Sequence, residues 1–253
     1  MSLKTTPDEG KTVRLEHSSN LGRIIRKDSL AELGVSTWTK TSAAIQAGRL
    51  AEAIALVDYN WEEGRRVHDI MCDAFWGFQT CIAETFGEEE LYKAMRRLSE
   101  PFNSGLAKLT IEELVQMRAE TMRAHRCGPK LKGDFTVTEE KDRYVLTFDP
   151  CGSGGRMRRT GREKPPYNYG KTKKAYPWSW GKVGVPYYCV HCCIWQEILP
   201  IEMYGYPLRV TAYNDDPHAP CGWYIYKKPE LIPEEYFTRV GVKKDISRMK
   251  KPV

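Results

Sequence analysis

The sequence predicts an α+β fold, with an N-terminal helical layer packed on a C-terminal antiparallel sheet. Apolar residues recur at helical spacing through the first half of the chain, and alternating strand patterns begin only after residue 130. Helices that precede strands, rather than alternating with them, are typical of α+β domains. The length of 253 residues is sufficient for one large domain with a sizeable core.

The helical pattern covers residues 40–126. Stripes with spacings of three and four residues predict two helix faces that pack against the sheet; they comprise Leu50, Ile54, Val57, Met71, Ala74 and Phe78. We therefore expect Phe78→Ala to cost ~3–5 kcal/mol of stability. Thr110 and Glu113 have the spacing of a capping box, which begins a further helix. Residues 1–38 show no sustained period and are predicted to form an extended arm.

Two antiparallel strand pairs are predicted in the second half. Residues 135–138 and 144–148 alternate around a charged turn, and residues 208–213 and 223–226 form the second pair. We expect a single α+β domain over residues 39–229, with a helical part at 40–126 and a cysteine-rich hairpin part at 130–229. Residues 230–253 are predicted to be a basic tail.

Composition narrows the functional classes. With 41% hydrophobic and 28% charged residues, the chain has the balance of a soluble globular protein. It shows neither an apolar run of spanning length nor an apolar stretch at its start, which disfavours membrane insertion and secretion. Its eight cysteines then indicate thiols in a reducing compartment, so a cytoplasmic location is expected.

Positive charge is concentrated in residues 156–182, where nine basic residues face one acidic residue, a net charge of +8, while the whole chain carries +6. Such a segment indicates an anionic partner, although a solvated basic loop is the alternative. Nucleic acid is disfavoured because no recognised nucleic-acid motif accompanies the interleaved aromatic residues. We expect a small anionic ligand, and a homo-oligomer stays open. The candidate substrate-binding residues are Arg156, Lys173, Lys174 and Trp178.

Cysteines supply the strongest chemical signal, because five of the eight lie between Cys151 and Cys221. In a helix, Cys189, Cys192 and Cys193 share about one face and His191 points away. In a strand, Cys189 and Cys193 share a face with His191 instead. We favour the helix, and Cys151 follows a strand in a glycine-rich turn. The predicted metal ligands, with zinc as the expected ion and an iron–sulfur cluster as the alternative, are Cys151, Cys189, Cys192 and Cys193.

The roles of His191 and Cys221 are left open, and buried thiols without chemistry are the competing interpretation of the cluster. Two further histidines are candidate catalytic acid–base residues. His68 lies four residues before Cys72 on a helix flank and is expected to face the turn that contains Cys151. His125 lies near the end of the fourth helix, where it could instead interact with the helix dipole.

The layout resembles the L-2-amino-thiazoline-4-carboxylic acid hydrolase-like family, in which a helical half precedes a strand ending at a cysteine, a helix carrying a cysteine and a late cysteine before a final strand. The similar positions here are Cys151, Cys189 and Cys221, and the likeness covers roughly residues 40–228. Gly152 and Cys192 depart from the family pattern, as does the long basic insertion at 156–188. The resemblance implies the fold and a cysteine-centred site.

Together these features predict a metal-assisted hydrolase or lyase that acts on a small anionic cyclic or aromatic compound at the cysteine-rich site. One alternative is an iron–sulfur or thiol redox protein, because five clustered cysteines are enough for four thiolate ligands. The other is a non-catalytic small-molecule binding or sensor module that uses the same pocket.

Overall fold

The computed structural model describes residues 13–125 and 135–250, except for the side chains of Ala107 and His125. The chain divides into two compact units, Met1–Arg66 and Val67–Val253, whereas the sequence predicts one domain from residue 39. The boundary falls within a single long helix. None of the helices in the described ranges is long and apolar enough to cross a bilayer.

The first unit contains an antiparallel hairpin where the sequence predicts an extended arm. Strands β1 (Arg14–Ser18) and β2 (Arg23–Lys27) pair with each other, and helix α1 (Thr37–Gln46) follows. Polar contacts stabilise this region: Arg26 donates to Asp28 at 2.6 Å and to the Thr37 hydroxyl at 2.8 Å. Apolar periodicity does not predict this hairpin, because its strands are short and the region is stabilised by polar contacts such as those of Arg26.

Helix α2 (Leu50–Phe86) buries a different face from the one that the sequence predicts. Cys72 and Trp76 are buried, whereas Met71 and Phe78 are 61% and 70% exposed. The expectation that Phe78→Ala would be costly is therefore wrong. Apolar residues lie on more than one face of this helix, so spacing alone does not show which face meets the core. The other predicted stripe residues that are exposed are Leu50, Ile54 and Val57.

Helices α3 (Glu88–Asn103) and α4 (Ile111–His125) complete the N-terminal helical layer. The capping box is confirmed, because Thr110 N donates to a Glu113 carboxylate oxygen at 2.8 Å and Glu113 N donates to Thr110 Oγ1 at 3.2 Å. The second unit has a continuous core to which α2, α3, α4 and the sheet contribute; it includes Trp76, Leu91, Leu114, Leu146, Val210 and Ile225.

The sheet confirms the predicted α+β class. Strands β3 (Thr136–Glu139), β4 (Arg143–Phe148), β5 (Val210–Ala212) and β6 (Cys221–Tyr226) are antiparallel in the order β3-β4-β6-β5. Both predicted strand pairs are present. Phe148 at the end of β4 pairs with Cys221 at the start of β6, so the turn after β4 lies beside that cysteine.

Short helices connect the strands, and one of them carries three of the cysteines. Helix α5 (Gly154–Arg159) follows the glycine-rich turn, and α6 (Tyr187–Cys193) continues through a π-helical turn, Ile194–Ile198, into α7 (Leu199–Tyr204). The predicted helix at Cys189 is confirmed, but Pro200 does not end it. Proline is tolerated there because it lies in the first turn of α7, where the lack of a backbone N–H removes few helical hydrogen bonds. π-Helical turns often occur at functional sites.

The predicted basic tail contributes to the core rather than lying outside it. Helix α8 (Glu235–Thr238) brings Phe237 to complete burial, and Ile232 and Val240 are also buried. The sequence prediction ended the domain at residue 229 because the segment that follows is basic overall. That prediction did not take account of the three apolar residues that are buried.

Candidate active site

The first cysteine–histidine pair lies on α2, four residues apart. His68 Nε2 lies 3.3 Å from Cys72 Sγ and 3.1 Å from Ser153 Oγ, just before α5. The other ring nitrogen, Nδ1, donates to a carboxylate oxygen of Asp69 at 2.9 Å. A carboxylate on one imidazole nitrogen and a thiol or hydroxyl on the other is the arrangement of residues that transfer protons in catalysis. His68 therefore faces the glycine-rich turn.

Tyr188 on α6 also contacts this pair, because its hydroxyl lies 3.1 Å from Cys72 Sγ. Burial raises the pKa of Tyr188, and the neighbouring Cys72 raises it further, so the phenol stays protonated. Burial alone would lower the pKa of His68, but hydrogen bonds to Asp69 and Cys72 outweigh burial and raise that pKa to about 9. The imidazolium form of His68 is therefore favoured at neutral pH.

Two arginines neutralise the carboxylates beside this pair. Arg156 Nε lies 3.0 Å from an Asp69 carboxylate oxygen, and Arg162 Nε lies 2.6 Å from Asp73. Arg156 Nη2 also lies 3.8 Å from Asp73, and the Arg156 side chain is buried. The positive charge of Arg156, which the sequence assigns to substrate binding, is thus compensated by carboxylates of the protein.

The remaining predicted substrate-binding residues contact α3 or solvent. Lys173 and Lys174 are exposed, and the Lys173 backbone N–H donates to Glu88 on α3 at 2.7 Å. Trp178 is buried, with its ring stacked on that of Tyr176 at 4.5 Å between centroids. None of these three residues, nor Arg156, lines the cavity beside Cys151 and Cys221.

Much of the remaining charge of the basic segment is also compensated locally. Glu163 lies 3.6 Å from Arg158 and 3.3 Å from Lys171, and Lys182 lies 2.5 Å from Asp215. The net charge of a stretch of sequence therefore does not identify an anion site here, because Asp69, Asp73 and Asp215 from elsewhere in the chain neutralise part of it.

The second cysteine–histidine pair is formed by two consecutive residues of α6. His191 Nδ1 donates to the backbone carbonyl of Tyr188 three residues earlier, which leaves Nε2 to face the thiol. Nε2 lies 3.5 Å from Cys192 Sγ, and Arg209 Nη2 lies 3.4 Å from the same sulfur. The sequence predicts that His191 points away from the cysteines, but the ring rotates back over its own helical turn to reach Cys192.

Electrostatics make Cys192 a thiolate. Burial alone would raise its pKa, but the charges of His191 and Arg209, and their hydrogen bonds to the sulfur, lower that pKa to about 6. Cys192 is half-buried, so the sulfur is not sealed inside the core. A half-buried thiolate beside an imidazole is the combination that nucleophilic cysteines use.

Aromatic rings surround the second pair. The rings of Phe75, Tyr188 and Trp195 lie 6.1, 4.9 and 5.2 Å from the His191 ring, centroid to centroid. The Arg209 guanidinium lies over the face of Trp223 at 3.3 Å from the ring centroid. The thiolate therefore lies next to flat apolar surfaces as well as positive charge.

Three further thiols line a cavity of about 30 Å³: Cys151, Cys189 and Cys221. Burial raises the pKa of each of them, and the charge of Cys192 raises each pKa further. These thiols are thus protonated at neutral pH, in contrast to Cys192. Glycine is required at the adjoining turn, because a Cβ atom at Gly154 would lie 2.8 Å from Cys189 Sγ.

The predicted metal set is only partly assembled. Cys193 lies in the core, where its thiol donates to the Pro177 carbonyl at 3.6 Å. It is therefore separated from Cys192, which follows from the 100° rotation per residue in a helix. In residues 13–125 and 135–250 no group of three or more His, Cys, Asp or Glu side chains could hold a metal ion. Zinc and iron–sulfur ligation therefore both stay predictions.

No known protein family matches the chain, and neither a curated protein nor a solved structure matches it. The resemblance to the L-2-amino-thiazoline-4-carboxylic acid hydrolase-like family therefore stays a prediction that rests on the layout of the cysteines. Candidate roles for individual residues come from the geometry of this chain alone.

Several residues at these two pairs are missed by sequence analysis. Ser153 and Arg209 have no local pattern that marks them, since their partners lie 85 and 17 residues away. One signal for Arg209 was available: a single charge within the apolar run 208–213 indicates a buried charge that needs a partner. The side chain of His125, the other predicted catalytic histidine, lies outside the described part of the chain.

Proposed function

We propose that the chain is a hydrolase that acts on a small anionic cyclic or aromatic compound through the Cys192 thiolate. The observation that carries this proposal is the position of the Cys192 sulfur, 3.5 Å from His191 Nε2 and 3.4 Å from Arg209 Nη2. Both contacts favour the ionised sulfur, which is the nucleophilic form. Phe75 and Trp195 beside His191 are suitable walls for a flat ring.

The proposed reaction needs no groups beyond this pair and water. The thiolate attacks the electrophilic carbon of the substrate, an S–C bond forms, and the bond from that carbon to the leaving group breaks. His191 donates the proton of Nε2 to the leaving group. Water then gives a proton to His191 and attacks the thioester, which releases the acid and restores the thiolate–imidazolium pair.

The test uses the full chain with a panel of small carboxylated aryl esters and cyclic imidates. We expect turnover and a transient acyl mass increment on the peptide that contains Cys192. Cys192→Ser should lower kcat/KM on the order of 1,000-fold. Cys81→Ser is the matched control, because Cys81 is exposed and lies on α2.

Full turnover by Cys192→Ser would contradict the proposal. Activity that appears only after zinc is added, and disappears with a chelator, would instead support the metal-assisted reaction that the sequence predicts. Metal content of the purified chain is measured on the same samples.

A thiol redox function is the second candidate, and the cavity lined by Cys151, Cys189 and Cys221 favours it. Peroxide would oxidise the Cys192 thiolate to a sulfenic acid with release of water, and a neighbouring thiol would displace a second water to form a disulfide. Peptide mapping after peroxide treatment should then find Cys192 joined to one of these three cysteines. Recovery of all four as free thiols or sulfinic acids would exclude this candidate.

A further inference from the structure

Arg209 is a buried cation with unused hydrogen-bond donors. Its side chain lies just before β5 and is only 4% exposed. Nη2 donates to Cys192 Sγ, but Nε and Nη1 are buried and have no hydrogen-bond partner among the described residues. Buried donors without partners are rare in folded proteins, because each costs ~1–3 kcal/mol.

Arg118 on α4 is a neighbour of Arg209, because both residues donate to Gln196, whose backbone carbonyl accepts from Arg209 N at 3.5 Å. Arg118 Nη2 donates to the Gln196 side-chain oxygen at 2.6 Å, whereas its Nε is buried without a partner in the described ranges. Burial and the charge of Arg209 lower the pKa of Arg118 to about 9, against a smaller opposing effect of Cys192. The two cations therefore repel each other in a poorly solvated position.

The charges around these two arginines do not balance. Cys192, His191, Cys221 and Arg118 are among the titratable groups that interact electrostatically with Arg209. No carboxylate in the described ranges forms an ion pair with Arg118 or Arg209. Buried or half-buried Arg26, Arg156 and Arg239 each have such a partner; Arg239, for example, lies 2.6 Å from Glu197. An uncompensated buried charge is costly unless a ligand supplies the opposite charge.

We propose that Arg118 and Arg209 form a binding site for a small carboxylate, which lies beside Cys192 Sγ and accepts hydrogen bonds from the unused guanidinium donors. The site rests on the unpartnered guanidinium donors, whereas the identification of the carboxylate as part of the substrate rests on the proposed hydrolase function. A carboxylate satisfies several donors at once and removes the repulsion between the two cations. Trp223 beneath Arg209 and Trp195 near His191 favour a carboxylate that is attached to a flat ring.

The experiment measures the binding of benzoate, acetate and inorganic phosphate to the wild-type chain at constant ionic strength. Two readouts are used, the unfolding midpoint and the rate at which iodoacetamide alkylates Cys192. We expect benzoate to raise the midpoint and to slow alkylation, with a saturable concentration dependence, and acetate to do so more weakly. Tighter binding of phosphate than of benzoate would overturn the assignment to a carboxylate.

Single arginine substitutions test whether benzoate binds at Arg118 and Arg209. Arg118→Gln should weaken benzoate binding at least about tenfold and should not lower the unfolding midpoint without benzoate, because it removes an uncompensated charge. Arg209→Gln should weaken binding as well. Arg96→Gln is the control, since Arg96 forms an ion pair with Glu202 at the surface, and it should bind benzoate as the wild type does. Equal benzoate binding by wild type and Arg118→Gln would overturn the proposal.

The outcomes also separate this site from the proposed function. Benzoate binding that depends on Arg118, together with no turnover of any substrate in the panel, would keep the anion site and refute the hydrolase. Turnover with the same KM for a carboxylated substrate and its methyl ester would keep the hydrolase and refute the anion site.

Discussion

Two cysteine–histidine pairs lie in the unit that follows Arg66, and their surroundings differ. Cys72 and His68 are buried, and the imidazole is bonded to Asp69 on one side and to Ser153 on the other. Cys192 and His191 are half-buried, and the nearest charged partner of the sulfur besides His191 is Arg209. The charged partner of the first pair is a carboxylate, Asp69, and that of the second is an arginine, Arg209.

This difference decides what each pair can do. Around His68, two carboxylates and two arginines compensate one another, so every ionised group has a partner within the chain. Such a network stabilises the fold and fixes the rotamers of its members. Around Cys192, positive charge exceeds negative charge, which lowers the pKa of the thiol and leaves capacity for an anion. We therefore interpret the pair of His68 and Cys72 as structural, and we propose that the pair of His191 and Cys192 is the reactive one.

The largest difference that we expect between the two pairs is in the loss of stability when the histidine is replaced. His68→Asn should lower the free energy of unfolding by ~2–4 kcal/mol, because Asp69 and the buried Ser153 lose their shared partner. His191→Asn should cost ~1 kcal/mol or less, since a half-buried side chain is replaced. Urea unfolding of both variants gives the two values, and a larger loss for His191→Asn would reverse the roles of the pairs.

The next largest expected effect is that His68 and Cys192 stabilise the fold in opposite pH ranges. The pKa of His68 is raised to about 9, so its stabilising charge is fully present below the ordinary pKa near 6.5 and is lost as pH rises through 9. The pKa of Cys192 is lowered to about 6, so its contribution is present above the ordinary thiol pKa and is lost as pH falls through 6. We expect differences of ~1–2 kcal/mol after solvent screening.

Stability measured from pH 5 to 10 for the wild type, His68→Asn and Cys192→Ser checks these signs. The destabilisation caused by His68→Asn should shrink at high pH, and that caused by Cys192→Ser should shrink at low pH. Parallel curves for all three proteins would show that neither group has the proposed charge.

The rate of alkylation compares the reactivity of the cysteines in the two pairs. At pH 7 iodoacetamide should modify Cys192 about tenfold faster than Cys72, because the first is a half-buried thiolate and the second is 3% exposed. Peptide mapping by mass spectrometry follows both cysteines in one sample, with exposed Cys81 as an internal reference. Equal rates for Cys72 and Cys192 would remove the distinction between a structural and a reactive pair.

Ser153→Ala should have the smallest effect. It removes one hydrogen bond to His68 Nε2, which retains Cys72 at 3.3 Å, so we expect a loss of ~0.5–1 kcal/mol. The hydrolytic activity proposed for Cys192 should stay unchanged. A drop in kcat of more than tenfold, with the midpoint of unfolding preserved, would show that the first pair participates in the chemistry.

Parts of the fold that depend on neighbours in sequence are predictable. The capping box at Thr110 needs only a residue three positions away, and the hairpin of β3 and β4 needs only alternation on both sides of a turn. The helical state of Cys189 and Cys192 likewise follows from the apolar residues that continue beyond them. In each case the decisive interactions lie within a few residues.

At the candidate site, residue spacing and net charge were not enough to predict the contacts of the cysteines and arginines. Spacing placed Cys189, Cys192 and Cys193 on one face, yet Cys193 turns into the core and the useful contact of Cys192 is with Arg209. The basic segment was the obvious place for an anion, yet Asp69 and Asp73 compensate its buried arginines. Net charge along a sequence does not reveal which charges will be paired in space.

The sequence by itself determined the α+β class, the order of the strand pairs and the cysteine-rich character of the second half, because these follow from local periodicity and residue type. Only the tertiary structure decided which face of α2 is buried and which thiol is ionised. The pKa of Cys192 depends on how close the folded structure brings its sulfur to the ring of His191 and to the guanidinium of Arg209, 17 residues away. Coulomb and desolvation energies depend on distance and burial, and neither quantity exists until the chain is folded.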